Sequence, residues 1–550
     1  MQTAQETRAE RAERAQRVPP LPEEIWDMIT GYTGHEAQKQ LRLSCHMLSR
    51  IAAVYLFDTV YLEIQKESIE RMISIAFHDV LRHHVKQLVL LECSQLVPFV
   101  SWKEWYSHID NLSDRESHLN APQHESGSEP NPDDGTAVPQ QPESTKSQDD
   151  LLKLYEEYKA ECVAMTQFLH CLRSRTSGSK ALGDRYYSSK LKEDNHMVYA
   201  CDHFDEALAS FRNLKTVKQR RWWQEPGLLT WRGLHFTVPE RRRRQARWAN
   251  DEDDMLPLSF VLRGLGWSSS IGESNLKSLD IRTSGMAFWN EYGLRHHLWG
   301  SLAVGKLQNT CQAEVKLIQN SFSNLTHLTC SLTAEEDTVI DILDSFAAFM
   351  HTADKLEDLD LIFTERNGGE DIGENWDLFL PLSEQGNRWR KLRQLKLSAY
   401  TGGRSLLTFL TNHASTLRTL TLHDCNLVTP QDSWPELLEQ ARDVLSLDSI
   451  FLLNLFDAYP DRNSDVKGYL IDYMDECEIF KGFKDQILDY VLKKTDKQPV
   501  WDHRPIYDAH LKDCDECEEN KALHDEASAD EHSILFEFDL LPIVADLGLL

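Results

Sequence analysis

The cysteine and histidine spacing His510-x3-Cys514-x2-Cys517-x6-His524 carries the strongest hint of chemistry in this chain. Two thiolates and two imidazoles can complete the tetrahedral shell of a zinc ion. The surroundings argue otherwise: carboxylates far outnumber lysines between Asp508 and Glu531, apolar packing residues are sparse, and the histidine spacing fits no standard finger. A thioredoxin-like use of the Cys-x-x-Cys pair would need a preceding βαβ pattern, which is missing. No metal site is therefore expected. The sequence also lacks a glycine-rich phosphate loop, a Gly-x-Ser-x-Gly elbow and a His-Glu-x-x-His helix. Its 22 histidines are scattered. The expectation is a protein with no catalytic residues and no cofactor, not an enzyme.

Composition narrows the class further. A chain of 550 residues, 41% hydrophobic, can bury a large core. The formal charge of −29 repels phosphate backbones, so nucleic acid is not an expected partner. The chief local exception, Arg241 to Arg244 with Arg247, reads as a solvated loop or a nuclear import signal. No run approaches the ~18 apolar residues that span a membrane. Residues 1–17 carry Glu6, Glu10 and Glu13 and no apolar stretch, against a signal or transit peptide. A cytoplasmic or nuclear location is expected, with the 11 unpatterned cysteines as reduced thiols, mostly small core residues.

Along the chain, residues 1–18 read as a disordered N-terminus. Residues 113–150 are rich in Ser, Pro, Gln, Asp, Glu and Gly, with Leu119 and Val138 almost the only apolar side chains. Such a stretch cannot offset its ordering entropy and is expected to be a disordered loop. Residues 501–550 form an acidic tail with an apolar end, Ile534 to Leu550, which could dock back onto the body.

Ordered sequence begins at Pro19. In PPLPEEIWDMI, the prolines suit a first helical turn and Glu23 and Glu24 lie near its positive end. Leu21, Ile25 and Ile29 recur four apart, an amphipathic helix. A second helical pattern runs from Gln38 through Leu41, Leu43, Cys45, Leu48, Ile51 and Ala52. The stretch VYLFDTVYLEI then turns toward strand-like alternation. Three such short elements can hardly bury their apolar residues alone, and the exposed remainder marks a partner site.

These residues carry a family resemblance. LPEEIWDMI, followed by LRLSCHMLSRIAAVYLFDTVYL, resembles the F-box of filamentous-fungal F-box proteins. The middle stretch GYTGHEAQKQ departs from the family pattern, where a leucine and an Asp-Leu pair are usual. The resemblance implies an F-box over residues 19–62 that docks on the Skp-family adaptor and, through it, on cullin. The contact positions it implies are Leu21, Pro22, Ile25, Ile29, Leu41, Leu43, Cys45 and Leu48. The other reading of this region is a helical lobe packed on its own domain.

A repeat organises the rest. Leu276-x-x-Leu279-x-Ile281 recurs as Leu325-x-x-Leu328-x-Cys330, Leu356-x-x-Leu359-x-Leu361, Leu392-x-x-Leu395-x-Leu397, Leu417-x-x-Leu420-x-Leu422 and Leu447-x-x-Ile450-x-Leu452. The fifth continues through Cys425 and Leu427 to a full leucine-rich-repeat signature. Spacing is irregular and mostly longer than the ~20–29 residues of that class. Fragments near Val85 and Phe211 read as degenerate earlier members. Helical stretches such as VIDILDSFAAFM lie between the strands, which is the pattern of a solenoid. The expected architecture is α/β: a small helical F-box followed by an irregular leucine-rich-repeat-like solenoid of parallel strands with crossover helices. Its strands begin in residues 63–112 and continue through residues 151–500.

Strand side chains alternate, so residues between the leucines face away from the core. Successive rows present Ser278, Asp280, Arg282; His327, Thr329, Ser331; Asp358, Asp360, Ile362; Gln394, Lys396, Ser398; Thr419, Thr421, His423; and Ser449, Phe451, Leu453. Of these, Asp358, Asp360, Gln394, Lys396, Thr419, Thr421 and His423 are the expected contact surface for an unknown protein cargo. Two readings stand: a substrate receptor of a ubiquitin ligase, or a ligase-independent repeat scaffold, with a metal-binding protein using the C-terminal Cys/His cluster as a further alternative.

Overall fold

The computed structural model describes residues 21–63, 66–92, 103, 105, 148–176, 196–221, 229–231, 234–236, 256–270, 272, 274–281, 289, 315–334, 339–365, 374–384, 389–457, 468–469 and 478–501. The expected N-terminal disorder, residues 113–147 of the acidic loop, Arg282, the Arg241–Arg244 run and the His510 to His524 cluster lie outside them. So does the apolar end at Ile534 to Leu550. Helix formation resumes at Gln148, slightly before the expected end of that loop.

Three helices open the described chain: α1 (Glu23–Tyr32), α2 (His35–Ser44) and α3 (His46–Leu56). The sequence pattern from Gln38 onward suggests one helix, but the structure makes two. Cys45 breaks them with extended backbone (φ −159°, ψ 166°), and its carbonyl accepts the Ser49 N–H at the start of α3. Strand β1 (Thr59–Leu62) follows after two residues, then α4 (Lys66–Phe77) and β2 (Gln87–Glu92). Next come α5 (Gln148–Thr176), α6 (His196–Ser210), β3 (Thr216–Arg221) and a separate hairpin of β4 (Leu229–Trp231) and β5 (Leu234–Phe236). Helix α7 (Leu256–Ser270) leads to β6 (Ser278–Ile281), a helix through 315–322 and β7 (His327–Ala334). The remainder alternates: α8 (Val339–Met350), β8 (Asp358–Glu365), α9 (Phe379–Glu384), β9 (Gln394–Ser398), β10 (Tyr400–Thr401), α10 (Gly403–His413), β11 (Thr419–Leu427), α11 (Trp434–Val444), β12 (Ser449–Phe456), β13 (Gly468–Tyr469) and α12 (Glu478–Val491).

The main sheet runs β1-β2-β3-β6-β7-β8-β9-β11-β12-β13, so the chain lays each strand beside its predecessor. Every pairing in it is parallel except β12 with β13. This is an α/β fold of solenoid-like order. The fragments near Val85 and Phe211 supply β2 and β3. Strand β1 is already part of the sheet, so the helical N-terminal unit joins it without a linker.

One backbone device recurs at each parallel junction and explains why unequal spacing still gives one register. The carbonyl just before a strand accepts two successive N–H groups from the entry to the next. Asp58 O takes Lys86 and Gln87, Lys277 O takes Thr326 and His327, Thr326 O takes Glu357 and Asp358, and Arg393 O takes Arg418 and Thr419. Insertions between strands therefore enter the helices and loops, where length costs little entropy.

The inward side chains form one continuous core. Leu279, Leu328, Leu359, Leu395 and Leu420 stand side by side across the strands, as do Ile281, Cys330, Leu361, Leu397 and Leu422, all buried. Helices cover this face, with Val339, Ile342, Leu343, Phe346 and Phe349 of α8 in the same cluster. At ~25 cal/mol per Å² of apolar surface, each such side chain contributes ~1.5–3 kcal/mol. Burial raises the Cys162 and Cys425 thiols to about 12 and the Cys330 thiol further still, which keeps these buried thiols in the neutral form.

Candidate functional site

Two surfaces remain after the core is accounted for. The first is the sheet face opposite the helices. Register pairing places Thr216, Ser278, His327, Asp358, Gln394, Thr419 and Ser449 in one row. Lys218, Asp280, Thr329, Asp360, Lys396, Thr421 and Phe451 make the next. With neighbouring strands ~4.8 Å apart, each row is a continuous strip. The seven expected cargo residues all lie on this face and none is buried. Gln394 and Lys396 are the most open of them, and the other five are half-exposed.

Several polar side chains on the face pair locally. His327 Nε2 lies 2.7 Å from Asp358 Oδ2, across neighbouring strands. Arg220 Nη2 lies 2.8 Å from Asp280 Oδ2. His423 Nδ1 lies 2.6 Å from Asp424 Oδ2. The Asp424 carboxylate also accepts the Asn454 side-chain amide at 2.8 Å, and Ser449 donates to Thr419 Oγ1 at 3.2 Å. Asp424 and Asn454 occupy equivalent positions and share left-handed backbone, φ 51° and 49°. Strand β9 pairs Leu397 with Leu422, yet β10 pairs Tyr400 with Asn426, so β11 has gained one residue between the two pairings. That bulge breaks strict alternation. Leu453, expected to face outward, is buried beside the corresponding bulge of β12.

Side chains contact the sheet near both of its ends. Ser68 and Arg71 donate to the Tyr61 carbonyl on β1. At the other end, α12 brings the Lys484 ammonium 5.0 Å from the centroid of the Phe451 ring on β12.

The second surface is α1. Leu21, Ile25, Met28, Ile29 and Tyr32 recur at spacings that share one helical face, and all five are exposed. Tyr32 is 89% exposed and Met28 52%. The opposite face carries Glu23, Trp26, Asp27 and the buried Thr30, and this is the face turned toward α2 and α3. The helix is thus mounted with its apolar stripe to solvent.

No family model matches this chain, and no curated protein matches it.

The eight adaptor positions implied by the resemblance divide between surface and interior. Leu21, Pro22, Ile25, Ile29, Leu43 and Cys45 are exposed, Leu43 at 80%, and Leu41 is half-buried. Leu48, at 8% exposure, is buried, as are Ile51 and Ala52 of the same helix. Met28 and Tyr32 belong to the same stripe, although the resemblance does not point to them. Their i+7 and i+11 spacing from Leu21 is the signal that would have found them. Among the described residues no group of three or more His, Cys, Asp or Glu could hold a metal ion, and no helix is long and apolar enough to cross a membrane.

Proposed function

We propose that this chain is the substrate-recognition adaptor subunit of a Skp-cullin-F-box ubiquitin ligase. Its N-terminal unit is an F-box that binds the Skp-family adaptor, and its sheet is a leucine-rich-repeat-like solenoid whose open face binds a protein cargo. The single observation that carries this reading is the outward apolar stripe on α1. Five apolar side chains on one turned-out face mark a surface made for a partner, and they coincide with the segment that resembles an F-box. The chain supplies no catalysis in this reading. Ubiquitin transfer belongs to partner proteins, and this protein raises the effective concentration of cargo lysines near them.

The deciding experiment is co-purification with the Skp-family adaptor and cullin. Replacing Leu21, Pro22 and Ile25 with alanine removes buried anchors worth on the order of 2 kcal/mol each, a factor of ~30 in affinity per anchor. Adaptor and cullin should vanish from the purified complex while the fold persists. Full recovery of the adaptor by a folded triple variant would sink the reading and leave a ligase-independent scaffold.

A further inference from the structure

An amphipathic helix left to itself turns its apolar face inward, so something must hold α1 the other way. Three side chains grip its polar face. Arg50 of α3 donates through Nη2 to both Glu23 carboxylate oxygens at 2.6 Å, near the start of α1. Tyr55 of α3, five residues on, places its hydroxyl 3.1 Å from the backbone carbonyl and from Oδ1 of Asp27, in the middle. Gln38 of α2, itself buried, donates its amide to the carbonyls of Thr30 at 3.1 Å and Thr33 at 3.0 Å, at the end. Helix ends leave carbonyls short of intrahelical partners; the Thr33 N–H and hydroxyl already donate to the Thr30 carbonyl, and Gln38 adds a further donor there and one to Thr33.

Packing agrees with the hydrogen bonds. A Cβ on Gly31 would come within 3.1 to 3.3 Å of the Tyr55 ring, so α1 and α3 touch closely at this point. The N-terminal unit is attached to the body as well: the Arg42 guanidinium lies 4.9 Å above the Phe57 ring, and Phe57 packs on the main core. The grip on α1 therefore fixes its apolar stripe relative to the sheet. Gln38 falls in GYTGHEAQKQ, the stretch that departs from the family pattern, so the departure supplies its own anchor.

We propose that Gln38, Arg50 and Tyr55 are positioning residues for the α1 stripe: they touch no partner themselves and set the partner's affinity by holding the helix apolar face outward. This rests on the reading of α1 as the adaptor-binding helix. Met28 and Tyr32 then belong to the bound face along with Leu21, Ile25 and Ile29.

The test uses the full chain and a purified Skp-family adaptor. A variant carrying Gln38→Ala, Arg50→Ala and Tyr55→Phe should bind the adaptor about three- to tenfold more weakly, the sum of the exposed Arg50 and Tyr55 contacts and the buried Gln38 ones. Amide hydrogen exchange in α1 should quicken, with the melting of the main body unchanged because its core lies elsewhere. Arg50→Lys alone should keep most of the affinity, and Met28→Ala with Tyr32→Ala should weaken binding without quickening exchange. If Leu21, Pro22 and Ile25 prove essential while the three-residue variant binds as well as wild type, the positioning role is overturned and the adaptor reading survives. If wild type binds no adaptor, that reading fails, and exchange in α1 still decides whether these residues hold the helix.

Discussion

The backbone carbonyl of Leu317 occupies the place where a Cβ on Gly266 would have to stand. Helix α7 and the helix through 315–322 thus approach backbone to backbone, which only glycine permits. On the other side of α7, a Cβ on Gly264 would meet Leu208 Cδ1 at 2.9 Å, the end of a flexible side chain, and Leu208 Cβ at 3.2 Å, a milder overlap than at Gly266. Alanine usually favours a helix over glycine by ~1 kcal/mol. At Gly266 that gain is outweighed, because a backbone carbonyl cannot rotate aside as a side chain can. Gly266→Ala should cost ~3 kcal/mol or more and lower the melting temperature well below that of Gly264→Ala. Equal melting of the two variants would contradict the close helix approach.

Asn454 and Asp424 give a second stability test. Both hold positive φ, and the Asn454 amide donates to the Asp424 carboxylate. Replacing Asn454 with glycine removes the hydrogen bond but keeps the backbone comfortable. Replacing it with alanine removes the bond and adds ~1 kcal/mol or more of left-handed strain. The order of stability in denaturant titrations should be Asn, then Gly, then Ala. Within a regular strand the last two would be reversed, so their order reads the bulge directly.

Strand positions were legible because burial imposes a strict period: Leu328, Leu359, Leu395 and Leu420 each lie in the core as their spacing requires. The helices Val339–Met350 and Trp434–Val444 were legible for the same reason. What escaped the pattern depends on single residues or distant pairings. Cys45 ends α2 through its backbone angles, which no apolar period encodes. The bulge at Asp424 shifts the later residues of β11 by one, and Leu453 of β12 is buried although it pairs with the outward His423. On α1, periodicity found the stripe, but the ties from Gln38, Arg50 and Tyr55 that decide its direction join separate helices. An apolar period alone leaves both directions open to such a face.

His413 should make stability depend on pH. Its Nδ1 lies 2.8 Å from the Phe409 carbonyl and its Nε2 accepts the Trp389 N–H at 3.2 Å, so both nitrogens of the neutral ring are engaged. Burial holds its pKa below the usual histidine value, with the Phe409 carbonyl pulling the other way. The unfolded chain, with a pKa of ~6.5, therefore binds this proton more readily than the native state. The stabilising contribution is complete above pH ~6.5 and is lost as pH falls from there toward the lowered native value. One such proton gives a slope of up to ~1.4 kcal/mol per pH unit. Urea titrations from pH 7.5 to 5 should show His413→Gln less stable at neutral pH, with the gap to wild type closing on acidification. A constant gap would mean that His413 binds its proton equally readily in the folded and unfolded chain, and a widening gap that it is charged in the fold.

The outward face offers the most consequential prediction. Asp358, Asp360 and Lys396 sit on the neighbouring strands β8 and β9, where register pairs Asp360 with Lys396. Substituting Asp358→Lys, Asp360→Lys and Lys396→Glu together changes the sign of a strip ~5 Å wide without touching the core. Exposed substitutions shift stability by less than ~0.5 kcal/mol each. The pair that Asp358 makes with His327 is itself open to solvent and weak, so removing it costs little. The melting temperature should hold; under the proposed adaptor function, adaptor binding should hold too, while cargo disappears from the purified complex and accumulates in cells. Cargo retained by this variant but absent after mutation of the helical side would put the binding surface there instead. Unfolding would mean something different. Inward and outward sets exchange when a strand slips by one residue, so a collapsed variant would show that these three side chains belong to the core and that the whole row assignment is off by one.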